Sequence, residues 1–325
     1  MQLSNSNGVK KKLFNILKIL VALALVGWLI QKLDWQLVLK ELHDISYGYI
    51  ALFVLLQLSA MVLSAKKWQA IALYQDIHFS VWEGFKTYLT GTFINNFLPS
   101  TIGGDIYRSL WLVDRGARKG KAFSTVIFDR FLGLIMTSLL TLLGGVFVWQ
   151  YLDLPPFLSF SYMGVGGLLF FFALWIAFEK TAFVQSLVTQ IPWAKLRNLF
   201  AESLRYNDFT IWRTAGLWTI LFMFVGLGLS NYVLFLALGY TLPFLPFLGL
   251  VFLMALYVSL PISISNIGVK EWAYGVLFVL LGVSFEVAVT VAILSRILQT
   301  GISLCALPIY LKETSDKILT EEEKA

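Results

Sequence analysis

The stretch from Asn95 to Arg130 reads NNFLPSTIGGDIYRSLWLVDRGARKGKAFSTVIFDR. It is a polar insertion, broken by glycine and proline, in a very apolar chain. An apolar run over 84–98 leads into Asn95, Asn96 and Pro99. The chain then turns through Gly103-Gly104, offers Asp105 and Arg108, crosses a basic loop and re-enters an apolar helix carrying Asp129-Arg130. Irregular backbone is costly in hydrocarbon unless it lines a cavity or a protein interior. The stretch therefore reads as a broken helix beside a cavity.

The surrounding composition sets that cavity in a bilayer. Of 325 residues, 58% are hydrophobic and 14% charged, and the mean hydropathy is +0.77. This is the composition of an all-α polytopic membrane protein. A net charge of +6 would suggest nucleic acid in a soluble chain. Here the basic residues sit between apolar segments and report topology instead, so no nucleic-acid partner is expected. Cys305 is the single cysteine, and His43 and His78 lie far apart. Neither a disulfide, a metal site nor a cofactor is expected from them. Lys10–Lys12 precede an apolar run that continues to Ile30, past the Ala-x-Ala of Ala22–Ala24. That reads as an uncleaved first helix rather than a signal peptide.

Apolar segments fall near 13–30, 47–64, 84–98, 122–149, 160–178, 212–238, 246–260, 269–282 and 286–309. A span needs about 20 residues. The segments 84–98, 246–260 and 269–282 fall short of that and read as re-entrant or broken helices, leaving about six full spans. Lys10–Lys12, Lys66-Lys67, the group Arg108, Arg115, Arg118, Lys119 and Lys121, and the loop 179–211 fall on one side. Loops 150–159 and 239–245 lack Lys and Arg. By the positive-inside rule both termini are cytoplasmic, in a multi-pass protein of the plasma (inner) membrane. Trp28, Trp68, Trp82, Trp149, Tyr151 and Trp212 near span ends read as an interfacial aromatic belt. A single membrane domain over 1–311 and a polar cytoplasmic tail over 312–325 are expected.

A second stretch echoes the first. Leu260 to Gly275 reads LPISISNIGVKEWAYG, with Leu-Pro, hydroxyl side chains and Ile267-Gly268 matching Leu98-Pro99 and Ile102-Gly103. Arg130 follows Gly103 by 27 residues and Arg296 follows Gly268 by 28. The topology runs the two arginine-bearing helices in opposite directions. This is the pattern of an inverted repeat whose broken segments meet around a substrate near the bilayer midplane.

Arginine at the centre of a membrane helix is costly and should face a partner or the interior. Arg130 and Arg296 admit two compatible readings. They form a guanidinium cradle for an anionic headgroup, or internal ion pairs, Arg130 with Asp105 or Asp129 and Arg296 with Glu271. Gly103-Gly104 and Gly268 suit unusual backbone, and helices restarting at Asp105 and Val269 would offer free N–H groups to an anion. Alternatively Asp105 is only an N-cap. Lys270-Glu271 lines the cavity or forms an interfacial pair. Asn95 and Asn96 contact a headgroup or satisfy freed backbone. Gly144-Gly145, Gly164–Gly167 and Gly226–Gly228 read as close helix packing. The P-loop-like run from Gly116 to Lys121 lacks the required spacing and the hydroxyl after the lysine, so it carries no nucleotide.

Pro99, Gly103-Gly104-Asp105, Arg108 and Asp129-Arg130, followed by Gly268-Val269-Lys270-Glu271, Gly282 and Arg296, resemble the lysylphosphatidylglycerol synthase transmembrane family, or flippase-like domain. The likeness covers most of the chain. Asp129 stands where glutamate is usual, Lys270 where arginine is usual, and Ser263–Ile267 replaces a glycine-rich run. The resemblance implies the membrane domain without the soluble aminoacyltransferase domain. It further implies movement of a lipid or lipid-linked amphiphile between leaflets, rather than enzymatic chemistry. The substrate-binding set expected is Asn95, Asn96, Gly103, Gly104, Asp105, Arg108, Asp129, Arg130, Lys270, Glu271 and Arg296. The rival readings are an intramembrane lipid-modifying enzyme using Asp105, Asp129 or Glu271, and a noncatalytic partner of a lipid-biosynthesis enzyme.

Overall fold

The computed structural model describes residues 45–97, 102–178, 206, 208–260 and 263–312, with isolated helical positions at 27, 31, 36 and 43. The expected span at 13–30, Pro99, Pro261, most of the loop 179–211 and the tail beyond Lys312 lie outside the described residues. What is described is helical: α1 (Tyr47–Leu73), α2 (Val81–Phe97), α3 (Gly103–Asp114), α4 (Lys119–Tyr151), α5 (Pro156–Phe178), α6 (Phe209–Met223), α7 (Ser230–Ala237), α8 (Phe244–Ser259), α9 (Val269–Phe278) and α10 (Phe285–Leu304). A π-helical turn, Phe224–Leu229, fuses α6 and α7 into one rod. Its backbone is braced by Gln57 of α1, whose amide donates to the Gly226 carbonyl (3.1 Å) and the Ser230 hydroxyl (3.0 Å).

Among the described residues, five helices are long and apolar enough to cross a bilayer: Tyr47–Leu73, Lys119–Tyr151, Pro156–Ala173, Phe209–Ala237 and Phe285–Lys312. The three segments judged too short are short helices, as expected. The 17 residues of α2 span about 25 Å, below the roughly 30 Å of a hydrocarbon core. The 16 residues of α8 and the 10 of α9 reach less.

One shift of 166 residues relates the two halves. It carries the first residue of α3 (Gly103) onto that of α9 (Val269), and the first of α4 (Lys119) onto that of α10 (Phe285). It also carries Asp105 onto Glu271 and Arg130 onto Arg296. Gly116 (φ 89°) falls on Gly282 (φ 88°), and both stop their helices in a conformation that only glycine adopts freely. The packing is reciprocal as well: α4 lies on α8 and α10 on α2, while α1 runs along the α6–α7 rod that is its own counterpart. The structure moves the sequence alignment by one residue. Gly268 corresponds to Ile102 rather than Gly103, because these two are the N-caps.

Glycine sets the closest approaches. A Cβ on Gly144 would lie 2.4 Å from the Gly249 Cα, and one on Gly249 would lie 2.5 Å from the Gly144 carbonyl oxygen, so α4 and α8 touch backbone to backbone. Gly226 likewise has room for no side chain, with Ala60 2.7 Å from its would-be Cβ. The packing role read for Gly164–Gly167 is not found. Nothing lies within 4 Å of a Cβ at Gly164, Gly166 or Gly167, because that face of α5 packs on no other described helix.

We expect Gly144→Val to lower stability by about 1–3 kcal/mol, and Gly164→Val to leave it unchanged. Thermal unfolding in detergent measures both. Equal effects would show that the α4–α8 contact is not limiting.

Candidate functional site

The repeats enclose a cavity of about 710 Å³. Nine of the eleven expected residues line it: Asn95, Asn96, Gly104, Asp105, Arg108, Asp129, Arg130, Lys270 and Arg296. Gly103 and Glu271 do not. Gly103 is simply the first residue of α3, and neither Gly103 nor Gly104 has positive φ. Gly104 is needed for proximity instead: a Cβ there would lie 2.3 Å from the Gly91 carbonyl oxygen. The expected restart at Asp105 is two residues late, and Asp105 sits in the first turn of α3 rather than at its cap.

Each repeat carries the same lock. In the first, Arg130 on α4 grips Asp105 with two parallel bonds, Nε to Oδ2 at 2.8 Å and Nη2 to Oδ1 at 3.0 Å. In the second, Arg296 on α10 donates from Nε to Glu271 Oε1 at 2.8 Å. Both carboxylates occupy the third position of the helix that follows a break, where a negative charge also suits the helix dipole. Each arginine follows its carboxylate by 25 residues. The internal ion-pair reading is therefore correct for both arginines.

The two breaks are held differently. In the first, the Gly104 N–H donates to Asn95 Oδ1 at 2.7 Å. Asn95 thus satisfies freed backbone, while Asn96 reaches across to donate to the Ser303 hydroxyl of α10 at 2.8 Å. In the second, Ser265 (φ 49°) and Asn266 (φ 55°) are left-handed, a conformation costing about 1–2 kcal/mol per residue. The Arg296 fork accounts for both, Nη1 donating to the Ser265 carbonyl and Nη2 to the Asn266 carbonyl, each at 3.1 Å. Gly268 N–H donates to Glu271 Oε2 at 2.8 Å, closing the same loop. Arg296 is consequently occupied by its own break. Arg130 keeps an Nη1 with no hydrogen bond among the described residues, on a cavity-lining side chain that is 61% exposed.

Beneath Arg130 lies a cluster that the sequence reading divided wrongly. Lys67 and Arg108 were counted as loop charges. Both are buried, because α1 and α3 carry them inward onto Asp129. Lys67 Nζ lies 2.8 Å from Asp129 Oδ1. Arg108 donates from both terminal nitrogens to Oδ2, at 3.1 and 3.0 Å. Tyr88 adds its hydroxyl to the same oxygen at 2.8 Å. The guanidinium is further covered by the Tyr88 ring (4.3 Å) and the Trp68 ring (5.0 Å). Trp68, read as part of the interfacial belt, is fully buried. Trp82, Trp149 and Tyr151 are exposed as that belt requires.

The Lys270–Glu271 pair does not form, since Glu271 is taken by Arg296. Lys270 turns to Ser295 Oγ (2.9 Å) and Gln299 Oε1 (3.4 Å) instead. Further lining residues outside the expected binding set are Lys67, Tyr88, Asn231, Tyr274 and Gln299. Asn231 accepts the Tyr274 hydroxyl hydrogen bond. A buried polar residue on an otherwise apolar helix, as at Lys67 and Asn231, was the available signal.

The sequence pattern of one family, described as the lysylphosphatidylglycerol synthase TM region, matches residues 15–306. The chain belongs to this family. It is a multi-pass membrane protein of lipid metabolism or transport. No curated protein and no solved structure matches it.

Asp129 is the shared counter-ion of two buried cations, so Asp129→Ala should cost about 3–5 kcal/mol. Asp105→Ala, whose arginine is exposed, should cost about 1 kcal/mol or less. Thermal unfolding of the two variants side by side makes the comparison, and equal losses would contradict it.

Proposed function

We propose that this family member is a lipid translocase of the plasma (inner) membrane. It takes the polar head of an anionic lipid, or lipid-linked amphiphile, into the cavity and passes it between leaflets while the tails stay in the bilayer. The observation that carries the proposal is a cationic cavity between two related halves, each a broken helix locked by arginine. A charge-lined cavity at helix breaks, where repeats meet, is where membrane transporters bind their cargo. Arginine forks match phosphate geometry. Arg130, with a free donor, is the primary headgroup ligand. Arg296 is a positioning residue, since its donors are engaged with its own break.

In this reading both termini are cytoplasmic, the repeat is inverted in the membrane, and the protein performs no covalent chemistry. The two halves exchange exposure by rocking, with the locks preserved in both states. The carboxylates serve the arginines rather than a reaction: Asp105, Asp129 and Glu271 each accept from a cation at 3.1 Å or less.

The test is exchange of fluorescent anionic and zwitterionic lipids between leaflets of proteoliposomes. Wild type should accelerate exchange of the anionic lipid, and Arg130→Ala should reduce that rate at least about tenfold while folding is retained. A folded Arg130→Ala protein with normal exchange would sink the proposal.

A further inference from the structure

The cavity's charges do not balance, and the repeat shows where the imbalance arises. Among the described residues five cations line it: Lys67, Arg108, Arg130, Lys270 and Arg296. Three carboxylates answer them. Asp105 pairs with Arg130 and Glu271 with Arg296. Asp129 serves both Lys67 and Arg108. Lys67 and Arg108 together therefore leave one positive charge. Lys270 leaves a second, because among the described residues its partners are a hydroxyl and an amide rather than a carboxylate.

The shift of 166 residues explains this second charge. It places Ser295 where the first repeat has Asp129. It places Lys270 where the first repeat has Gly104, a position at which backbone contact with Gly91 leaves no room for a side chain. The second repeat has thus gained an ammonium and has a hydroxyl where the first has its counter-ion. The carboxylate–arginine lock does not require this, since the first repeat forms its lock without either feature. Two uncompensated charges in a site of low dielectric call for a ligand that supplies two negative charges.

We infer that the cavity selects a dianionic phosphate head, a phosphate monoester or terminal diphosphate, and that Lys270 is the residue that discriminates it from a monoanionic phosphodiester. The inference rests on the translocase reading and names the substrate class of the same site. A phosphate monoester carries close to two charges above its second pKa of about 6. Lys270 Nζ, and the Arg130 Nη1 that has no hydrogen bond among the described residues, are cavity-lining donors that can reach it.

Equilibrium binding to the purified protein at pH 7 tests this, using dioctanoyl phosphatidic acid and dioctanoyl phosphatidylmethanol. The two lipids differ by one methyl group and one charge. Wild type should bind the phosphatidic acid about tenfold tighter or more. Lys270→Gln should reduce that preference to about twofold or less, chiefly through lost phosphatidic acid affinity and with thermal stability retained, and Lys270→Arg should restore it. Equal wild-type affinities, or a preference that survives in Lys270→Gln, would overturn the inference. Inorganic phosphate forms a third arm: competition as strong as that of the lipid assigns the same dianion site to a soluble phosphate. Selective binding without leaflet exchange of any lipid would uphold the charge selection and reject translocation. Exchange without selectivity would do the reverse.

Discussion

A helix broken inside a membrane protein frees backbone donors and acceptors that no lipid can satisfy. The structure depends on how that demand is met. In one half Asn95 accepts the Gly104 N–H. In the other, Glu271 accepts the Gly268 N–H, while one arginine spreads its fork over Glu271 and the carbonyls of two left-handed residues. The residues that most resemble ligand-binding groups are thus also the ones that make the breaks stable. An arginine committed to its own backbone cannot also be freely offered to a ligand. That is why Arg130 and Arg296, equivalent by sequence, are assigned different roles.

The repeat sharpens this division. Its reciprocal contacts, α4 on α8 and α10 on α2, give the cavity two related walls. What differs between those walls is informative because the shared part is structural. Arg108, Asp129 and Lys67 form a fully packed cluster under Trp68 and Tyr88, suited to holding α1, α3 and α4 together. Their counterparts across the repeat are all neutral, with Tyr274 at the position of Arg108, Ser295 at that of Asp129 and Val233 at that of Lys67. One wall is a braced scaffold, and the other presents an ammonium held by neutral groups.

Much of this was legible in the sequence. Apolar runs of span length, and runs too short to span, located the helices to within a few residues at most boundaries. The exception is α1, which continues to Leu73 rather than 64 because Lys66, Lys67 and Trp68 looked like a membrane boundary. A lysine at the end of an apolar run has the same local signature whether it reaches water or a buried aspartate 62 residues away. Arg108 reads as a loop charge for the same reason, although the motif also names it as a site residue and it lines the cavity: its neighbours in sequence are basic, but its partners come from α1, α2 and α4. The locks were visible because an arginine within a hydrocarbon-length helix needs a partner, and an acidic residue stood beside each break. The asymmetry at Lys270 was not visible, since it is defined only by what Ser295 and Gly104 do in three dimensions.

The most direct test of the account obstructs the cavity itself. Thr300 lines it from α10, and Cys305 is the sole native cysteine. A Cys305→Ser, Thr300→Cys protein can be reconstituted and its anionic-lipid exchange measured before and after reaction with a bulky methanethiosulfonate, which forms a reducible mixed disulfide. If the lipid head passes between the two repeats, exchange is normal before modification and stops after it, then returns when the adduct is reduced. Unchanged exchange with the thiol fully modified would place the path outside this cavity and contradict the account.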